Sequence, residues 1–231
     1  MPTLHEEVLS RLGPRIVDGS LPAGSTINMD WLQAEFEVSR TVAREVVQVL
    51  VSMRLVASRR RTGVAVLPSS RWDVYDPAVI RWRLAGPERA SQLHQLSQLR
   101  AAIEPPAAAL AAVHADDAQR QRILDTAEAL ESTGAAGDLR TFLEHDIGFH
   151  RLLLESSQNS MFVGLVDVVE EVLRGRTHHH LMPAHPKPEA RLLHTVVAEA
   201  VSRGEPEVAH AAMSAICAEV VTEMDRLSHR G

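Results

Sequence analysis

Val38-Ser39-Arg40-Thr41-Val42-Ala43-Arg44-Glu45 is the stretch on which the reading of this chain turns. Ser39 suits a helix N-cap, because its hydroxyl can accept a backbone N–H of the first turn. Val42, Val46, Val49 and Leu50 recur at helical spacing and predict a helix over 40–53 with one apolar face. Arg40, Thr41, Arg44 and Gln48 project elsewhere. Upstream, Asp30 is the expected N-cap of a short helix to Phe36, and Val38-Ser39 makes the tight turn between the two. Further upstream, Leu4, Val8, Leu9, Leu12 and Ile16 predict a helix over 4–17, with Pro14 as an internal blemish. Downstream, Leu55-Val56-Ala57 and Val64-Ala65-Val66 are short β-type runs around the basic tip Ser58-Arg59-Arg60-Arg61-Thr62-Gly63. Helix, helix–turn–helix and hairpin, in that order, describe a winged helix.

That arrangement points to double-stranded DNA. A recognition helix enters the major groove and presents long donors from its first turns. Arg40 and Arg44 stand i, i+4 and share one face near the helix start. Arginine reads guanine O6 and N7 with two parallel bonds, or clamps a phosphate. Ser39 and Thr41 are short enough for close approach to the duplex. Arg59, Arg60, Arg61 and Thr62 at the hairpin tip are expected along the phosphates or in the minor groove, with Gly63 permitting the approach.

The bulk numbers agree once they are divided. The chain has 231 residues and a net charge of −6. Through residue 71 it carries nine arginines against seven acids, a balance of +2; beyond it, fifteen basic against twenty-three acidic residues give −8. Apolar residues make up 45% and aromatics 3%, so the core is aliphatic. No apolar run reaches the ~20 residues of a membrane span. The acidic, amphipathic start does not resemble a secretory signal, and the single cysteine, Cys217, allows no internal disulfide. A cytoplasmic protein is expected.

The expected organisation is a DNA-binding domain over 1–70, a linker over 71–77 and an all-α effector-binding and dimerisation domain over 78–231. Patterning beyond Pro77 is helical: 77–85, 88–114, 116–133, 137–156, 159–177, 188–203 and 205–228. That run implies an antiparallel bundle. Within it, Asp146 and His150 are i, i+4 and face one way, half a site for a divalent metal. His194 on a second helix can join them in a bundle. Three protein ligands leave positions open for water or a carboxylate ligand. The same spacing also arises by chance in a chain with twelve histidines. His178-His179-His180 with His185 lies between proline-rich loop signals and reads as a solvated loop. Asn159 reads as a helix cap, and Trp31, Trp72 and Trp82 as packing anchors.

Leu21-Pro22-Ala23-Gly24, Val38 to Glu45, Leu50 with Arg54-Leu55-Val56, and Gly63 to Val66 together resemble the GntR family of bacterial regulators over residues 5–67. The resemblance implies a winged helix in which Arg40 and Arg44 contact DNA and Glu45 is a core-side partner. Asp30 stands where the family often has a base-contacting arginine. Leu99-Arg100-Ala101-Ala102-Ile103-Glu104-Pro105, Asp146-x-x-Phe149-His150, Asn159 and His194 resemble the ligand-binding domain of the FadR subfamily (FCD domain) over 78–228. It implies a metal, expected to be zinc, held by Asp146, His150 and His194. The family's fourth ligand, a histidine, falls at Ile216, which cannot ligate. A three-ligand site, an empty site and a substitute ligand are open, with three ligands favoured.

Ser70 to Pro77 and Val79-Ile80-Arg81-Trp82 are similar to members that respond to sugar acids. The resemblance implies an aldonate-type carboxylate effector. Arg100 is the candidate for its second contact, since a guanidinium fork suits a carboxylate; an ion pair with Glu104 is the equal alternative.

The expectation is a homodimeric repressor on a palindromic operator, released by effector. It is not expected to be an enzyme, since no nucleophile motif or positioned base accompanies the metal pattern. A degenerate, metal-free pocket and a metal-dependent enzyme are the rival readings.

Overall fold

The computed structural model describes residues 3–59, 63–178 and 188–228, apart from the side chains of Arg59 and of 221–228. Arg60, Arg61, Thr62, His179, His180 and His185 lie outside the described residues, as does the side chain of Arg59. The chain divides into two compact units, Met1–Arg89 and Ala90–Gly231.

The first unit opens with α1 (Leu4–Val17), which buries Val8, Leu9, Leu12 and Ile16. Its start is capped by Glu6, whose carboxylate accepts the Thr3 backbone N–H at 2.7 Å. Pro14 removes one rung but does not end the helix; the Asp18 N–H closes the last turn on the Pro14 carbonyl at 2.8 Å. The two-residue strand β1 (Thr26–Ile27) follows. It is too short to show alternation in the sequence.

Helix α2 (Met29–Phe36) starts earlier than the sequence predicts. Its N-cap is Asn28, not Asp30: the Asn28 side chain accepts the Trp31 N–H at 2.6 Å. Asn28 is the residue with extended backbone, whereas Asp30 is already helical and adds an exposed carboxylate to the positive first turn. Glu37 then turns left-handed (φ 53°) and ends the helix. Helix α3 (Arg40–Ser52) is capped by Ser39, which accepts the Val42 N–H at 3.3 Å. It buries Ala43, Val46 and Leu50. Glu45 is exposed, on the outer side with Arg44 rather than toward the core, because Val46 and Leu50 take the inward positions.

Strands β2 (Val56–Arg59) and β3 (Gly63–Val66) form the hairpin, and the antiparallel order is β1-β3-β2. Ile27 pairs with Val64, and Ser58 also pairs with Val64 from the other side. Gly63 has φ 99°, and a Cβ there would meet the Ile27 carbonyl oxygen at 2.5 Å. Its lack of a side chain thus serves the sheet itself.

Helix α4 (Pro77–Ala85) begins at a proline capped by Asp76, which accepts from Ala78 and Val79 N–H. Val79 is fully buried in the first core, and Ala78, Trp72 and Trp82 pack against it. The Trp82 ring covers Gly13 so closely that no Cβ fits between them. The packing boundary therefore falls past this helix, not at the Pro77 linker where composition shifts. All three tryptophans pack here; the Trp72 indole N–H also donates to the Leu67 carbonyl at 2.9 Å.

The second unit is helical among its described residues: α5 (Arg89–His114), α6 (Asp117–Ala136), α7 (Leu139–Ser156), α8 (Ser160–Val163), α9 (Val166–His178), α10 (Pro188–Arg203) and α11 (Pro206–Ser228). The single helix expected over 159–177 is broken after Gly164 into α8 and α9, with Asn159 capping α8 by accepting the Met161 N–H at 3.0 Å. Pro105 and Pro106 interrupt the ladder of α5, but the carbonyls they free belong to Ala101 and Ala102, whose positions face solvent. One apolar core joins Ala108, Ala111 and Ala112 to Phe149, Val197 and Met213. A second joins Ile103 and Ala107 to Leu143, Ile147, Val169 and Leu173. Arg120 ties helix ends together: it donates to the carbonyls of Ala112, Ala115, Val201 and Ser202 at 2.6–3.0 Å. Among the described residues no helix is long and apolar enough to cross a membrane.

Candidate functional site

Polar side chains are buried inside the second unit. Arg100 and Glu104 come from α5, Asp146 and His150 from α7, His194 from α10 and Cys217 from α11. The i, i+4 spacing turns Arg100 and Glu104 to one side of α5, where Arg100 Nε donates to Glu104 Oε1 at 2.6 Å and Nη2 to Oε2 at 3.0 Å. Both residues are 2% exposed. Asp146, His150 and His194 bring one carboxylate oxygen and two ring nitrogens within 4.8 Å of one another.

The hydrogen bonds assign the imidazole tautomers. His150 Nδ1 lies 2.9 Å from Glu104 Oε2 and donates to it. Its Nε2 is then turned toward Asp146 Oδ1 at 3.5 Å and accepts from Arg100 Nη2 at 3.2 Å. His194 Nδ1 donates to the Ala190 carbonyl at 2.8 Å. Its Nε2 stands 3.3 Å from the same Asp146 oxygen, buried and without a hydrogen-bond partner among the described residues. Each imidazole thus spends one N–H on a fixed acceptor and aims the other nitrogen at a shared point. Metal-binding histidines are oriented in this manner. An unpaired buried nitrogen, a carboxylate and two imidazoles fit a divalent ion of zinc's preferences. The group can hold a metal.

The charges are set by each other. Burial alone would raise the Glu104 carboxyl, but Arg100 and His150 hold it well below the usual carboxylate range. Burial likewise opposes ionisation of Asp146, and the neighbouring His150 and His194 imidazoles reverse that. Burial would lower His150, and Glu104 raises it on balance. Cys217 donates its thiol to Glu104 Oε2 at 3.5 Å, and burial, then Glu104, push the thiol up. It is a neutral donor, not a ready thiolate ligand. Ile216, at the position implied for a fourth histidine, is in the apolar core.

Arg176 on α9 carries no motif in the sequence, yet it belongs to this electrostatic neighbourhood. Burial, then the Arg100 guanidinium, push it down to about 10. Arg100 Nη1 is buried without a hydrogen-bond partner among the described residues. His145 is turned away from this cluster and lines a surface groove of about 280 Å³ with Arg122, Glu144 and Arg151. His178 is exposed at the end of α9.

In the first unit, Arg40, Thr41, Arg44 and Gln48 are exposed on α3, while the Ser39 hydroxyl is occupied as its cap. Two long cations and two short or amide donors on one helix face suit the edges and phosphates of a major groove.

Comparison with known proteins accounts for both units. Residues 4–66 match the model of bacterial regulatory proteins of the gntR family, and residues 95–219 match the FCD domain. The chain is 28% identical over 170 residues to the galactonate operon transcriptional repressor of Escherichia coli, covering 73% of each chain. It is 28% identical over 159 residues to the HTH-type transcriptional regulator LutR of Bacillus subtilis, covering 68% of this chain and 70% of that one. Among solved structures it resembles Lar of Listeria monocytogenes (TM-score 0.66, 18% identity, 98% and 99% coverage). It also resembles a Streptococcus agalactiae GntR protein (TM-score 0.52, 23% identity, 94% and 99% coverage). These structures share its fold. The relatives named here are regulators rather than enzymes. The chain is a transcriptional regulator of the gntR family of bacterial regulatory proteins, with a gntR-type DNA-binding module followed by an FCD domain.

Proposed function

We infer that this regulator is a repressor released from its operator by a small carboxylate, and that the buried polar cluster is the effector site. The observation that carries this reading is the pair of imidazole Nε2 atoms turned on Asp146, with the Arg100 guanidinium 3.2 Å from that of His150. Asp146, His150 and His194 would hold a divalent metal, zinc by preference. When bound, the metal supplies a Lewis-acid position for a carboxylate and a neighbouring hydroxyl. Arg100 offers the anion a buried N–H at Nη1; its Nε donates to Glu104, and its Nη2 to Glu104 and His150. An aldonate is the first effector to try, since the galactonate operon repressor is a relative.

Arg40, Thr41 and Arg44 would read the operator, with Ser39 shaping the helix start and the segment from Arg59 through Thr62 and Gly63 following the phosphates. A homodimer places two such helices on a palindrome. Effector and DNA then oppose each other by one coupling factor in both directions.

A second reading has a specific observation behind it. The bidentate Arg100–Glu104 pair and Ile216 also suit a pocket that works without metal. One experiment separates the two: fluorescence anisotropy of the chain on DNA from its own promoter, titrated with aldonates and small carboxylates, with and without chelator. Release by an aldonate only without chelator supports the metal-held effector. Release in both arms selects the metal-free pocket. Tight binding that no ligand alters removes the effector reading.

A further inference from the structure

Ser97 is 2% exposed, and its hydroxyl has no hydrogen-bond partner among the described residues. The carbonyl one turn back is in reach of a helical serine or threonine. Three threonines of this unit take that option, whereas Ser156 on α7, also fully buried, leaves its hydroxyl without a partner among the described residues as Ser97 does. Thr126 donates to the Arg122 carbonyl at 2.7 Å, Thr133 to Ala129 at 2.7 Å and Thr177 to Leu173 at 3.3 Å. Ser97 forgoes that bond at a fully buried position, where an unmade hydrogen bond is costly.

Its place on α5 gives a reason. Residues three and seven apart share a helix face, so Ser97 stands on the side of α5 that carries Arg100 and Glu104. It lies one turn before Arg100, roughly 4.5 Å along the axis. The buried and unpartnered Arg100 Nη1 belongs to the same row. A carboxylate held at Arg100 therefore directs the rest of its carbon chain along a face where the next polar atom is a hydroxyl in need of a partner. A two-carbon acid does not extend that far; a polyhydroxylated chain does, and it brings hydroxyls that both donate and accept.

We propose that Ser97 is the residue by which this regulator selects a polyhydroxy carboxylate over a short one, by hydrogen-bonding a chain hydroxyl of the effector. The proposal rests on the carboxylate site argued above. Gln92 supplies the control: its Oε1 is also buried and unpartnered, but it stands roughly 12 Å along α5 from Arg100. A six-carbon acid anchored at Arg100 does not need it.

The test is isothermal titration of the full chain with gluconate, galactonate and glycolate, in zinc and again in chelator. Glycolate keeps the carboxylate and adjacent hydroxyl and lacks the chain. The wild type should bind an aldonate more tightly than glycolate. Ser97→Ala should weaken that aldonate about tenfold, the effect of one lost hydrogen bond, and leave glycolate unchanged. Gln92→Ala should keep the wild-type ratio. The ratio is read within each variant, so a general loss of stability cancels. A Ser97→Ala ratio equal to wild type overturns the proposal, leaves the effector site standing, and makes ordered water the partner of the hydroxyl. Failure of the wild type to bind any of these acids in either arm overturns both readings.

Discussion

His150 Nδ1 donates to Glu104 Oε2 over 2.9 Å, and this bond decides what His150 can do. It fixes the proton on Nδ1 and leaves Nε2 facing Asp146 and the Arg100 guanidinium. Glu104 is in turn held by two bonds from Arg100 and one from Cys217. The carboxylate touches no ligand position itself; it positions the imidazole that does.

Glu104→Gln should therefore weaken metal binding 10–100-fold while leaving the helical content unchanged. Competition against a chromophoric zinc chelator measures the affinity, and circular dichroism checks the fold. Equal zinc affinity in the variant and the wild type would falsify the positioning role.

Arg40 and Arg44 occupy the exposed face of a helix whose other face is core. If Arg40 reads a base, Arg40→Ala should lose roughly 1–3 kcal/mol of discrimination between the operator and a scrambled site. Gel-shift titration on both DNAs at one salt concentration measures it. A uniform loss on both sequences would reassign Arg40 to the phosphates, and no loss would remove it from the interface.

Arg120 gathers carbonyls from residues at the ends of two helices, Ala112 and Ala115 near α5 and Val201 and Ser202 on α10. The Val201 carbonyl also accepts the Gly204 N–H at 3.2 Å. Arg120→Ala should destabilise the chain by about 3 kcal/mol, because removing the guanidinium breaks four part-buried hydrogen bonds at once. Urea unfolding followed by tryptophan fluorescence and by circular dichroism gives the midpoint. A shift indistinguishable from that of a surface arginine variant such as Arg140→Ala would show that water replaces the clamp at no loss.

Glu170 on α9 accepts from Arg174 on its own helix and from Arg151 on α7, the latter at 2.7 Å. Burial works against its charge, but these two arginines win and lower its pKa. A carboxyl lowered in the folded state contributes stability above its unfolded value, about 4.3, and loses it as pH falls through the folded value. With Arg151 and Arg174 each about 40% exposed, the contribution is on the order of 1 kcal/mol or less. Glu170→Gln should thus be less stable than wild type at pH 7, with the gap closing below pH ~4. Thermal melts across that range check the sign; a constant gap would mean that packing, not charge, is what the substitution removes.

Much of this protein was legible before folding because its signals are local. The cap at Ser39, the apolar spacing of Val46 and Leu50, and the i, i+4 pair Asp146 and His150 lie within a few helical turns, so helix geometry alone brings them to one face. The departures share one cause. Strand β1 exists only because β3 lies beside it, and α4 joins the first core because Trp82 finds Gly13. The sequence offers Glu104 only as one alternative partner of Arg100, yet its decisive bond is to His150, 46 positions along the chain. Arg176 and Arg120 carry no motif at all. Sequence determined which stretches are helical, which face of each is apolar, and that a metal-type pair sits on one of them. Tertiary structure alone decided which polar atoms meet, because helices distant along the chain must pack before their side chains can complete each other's hydrogen bonds, and in a dry interior every such bond left unmade is expensive.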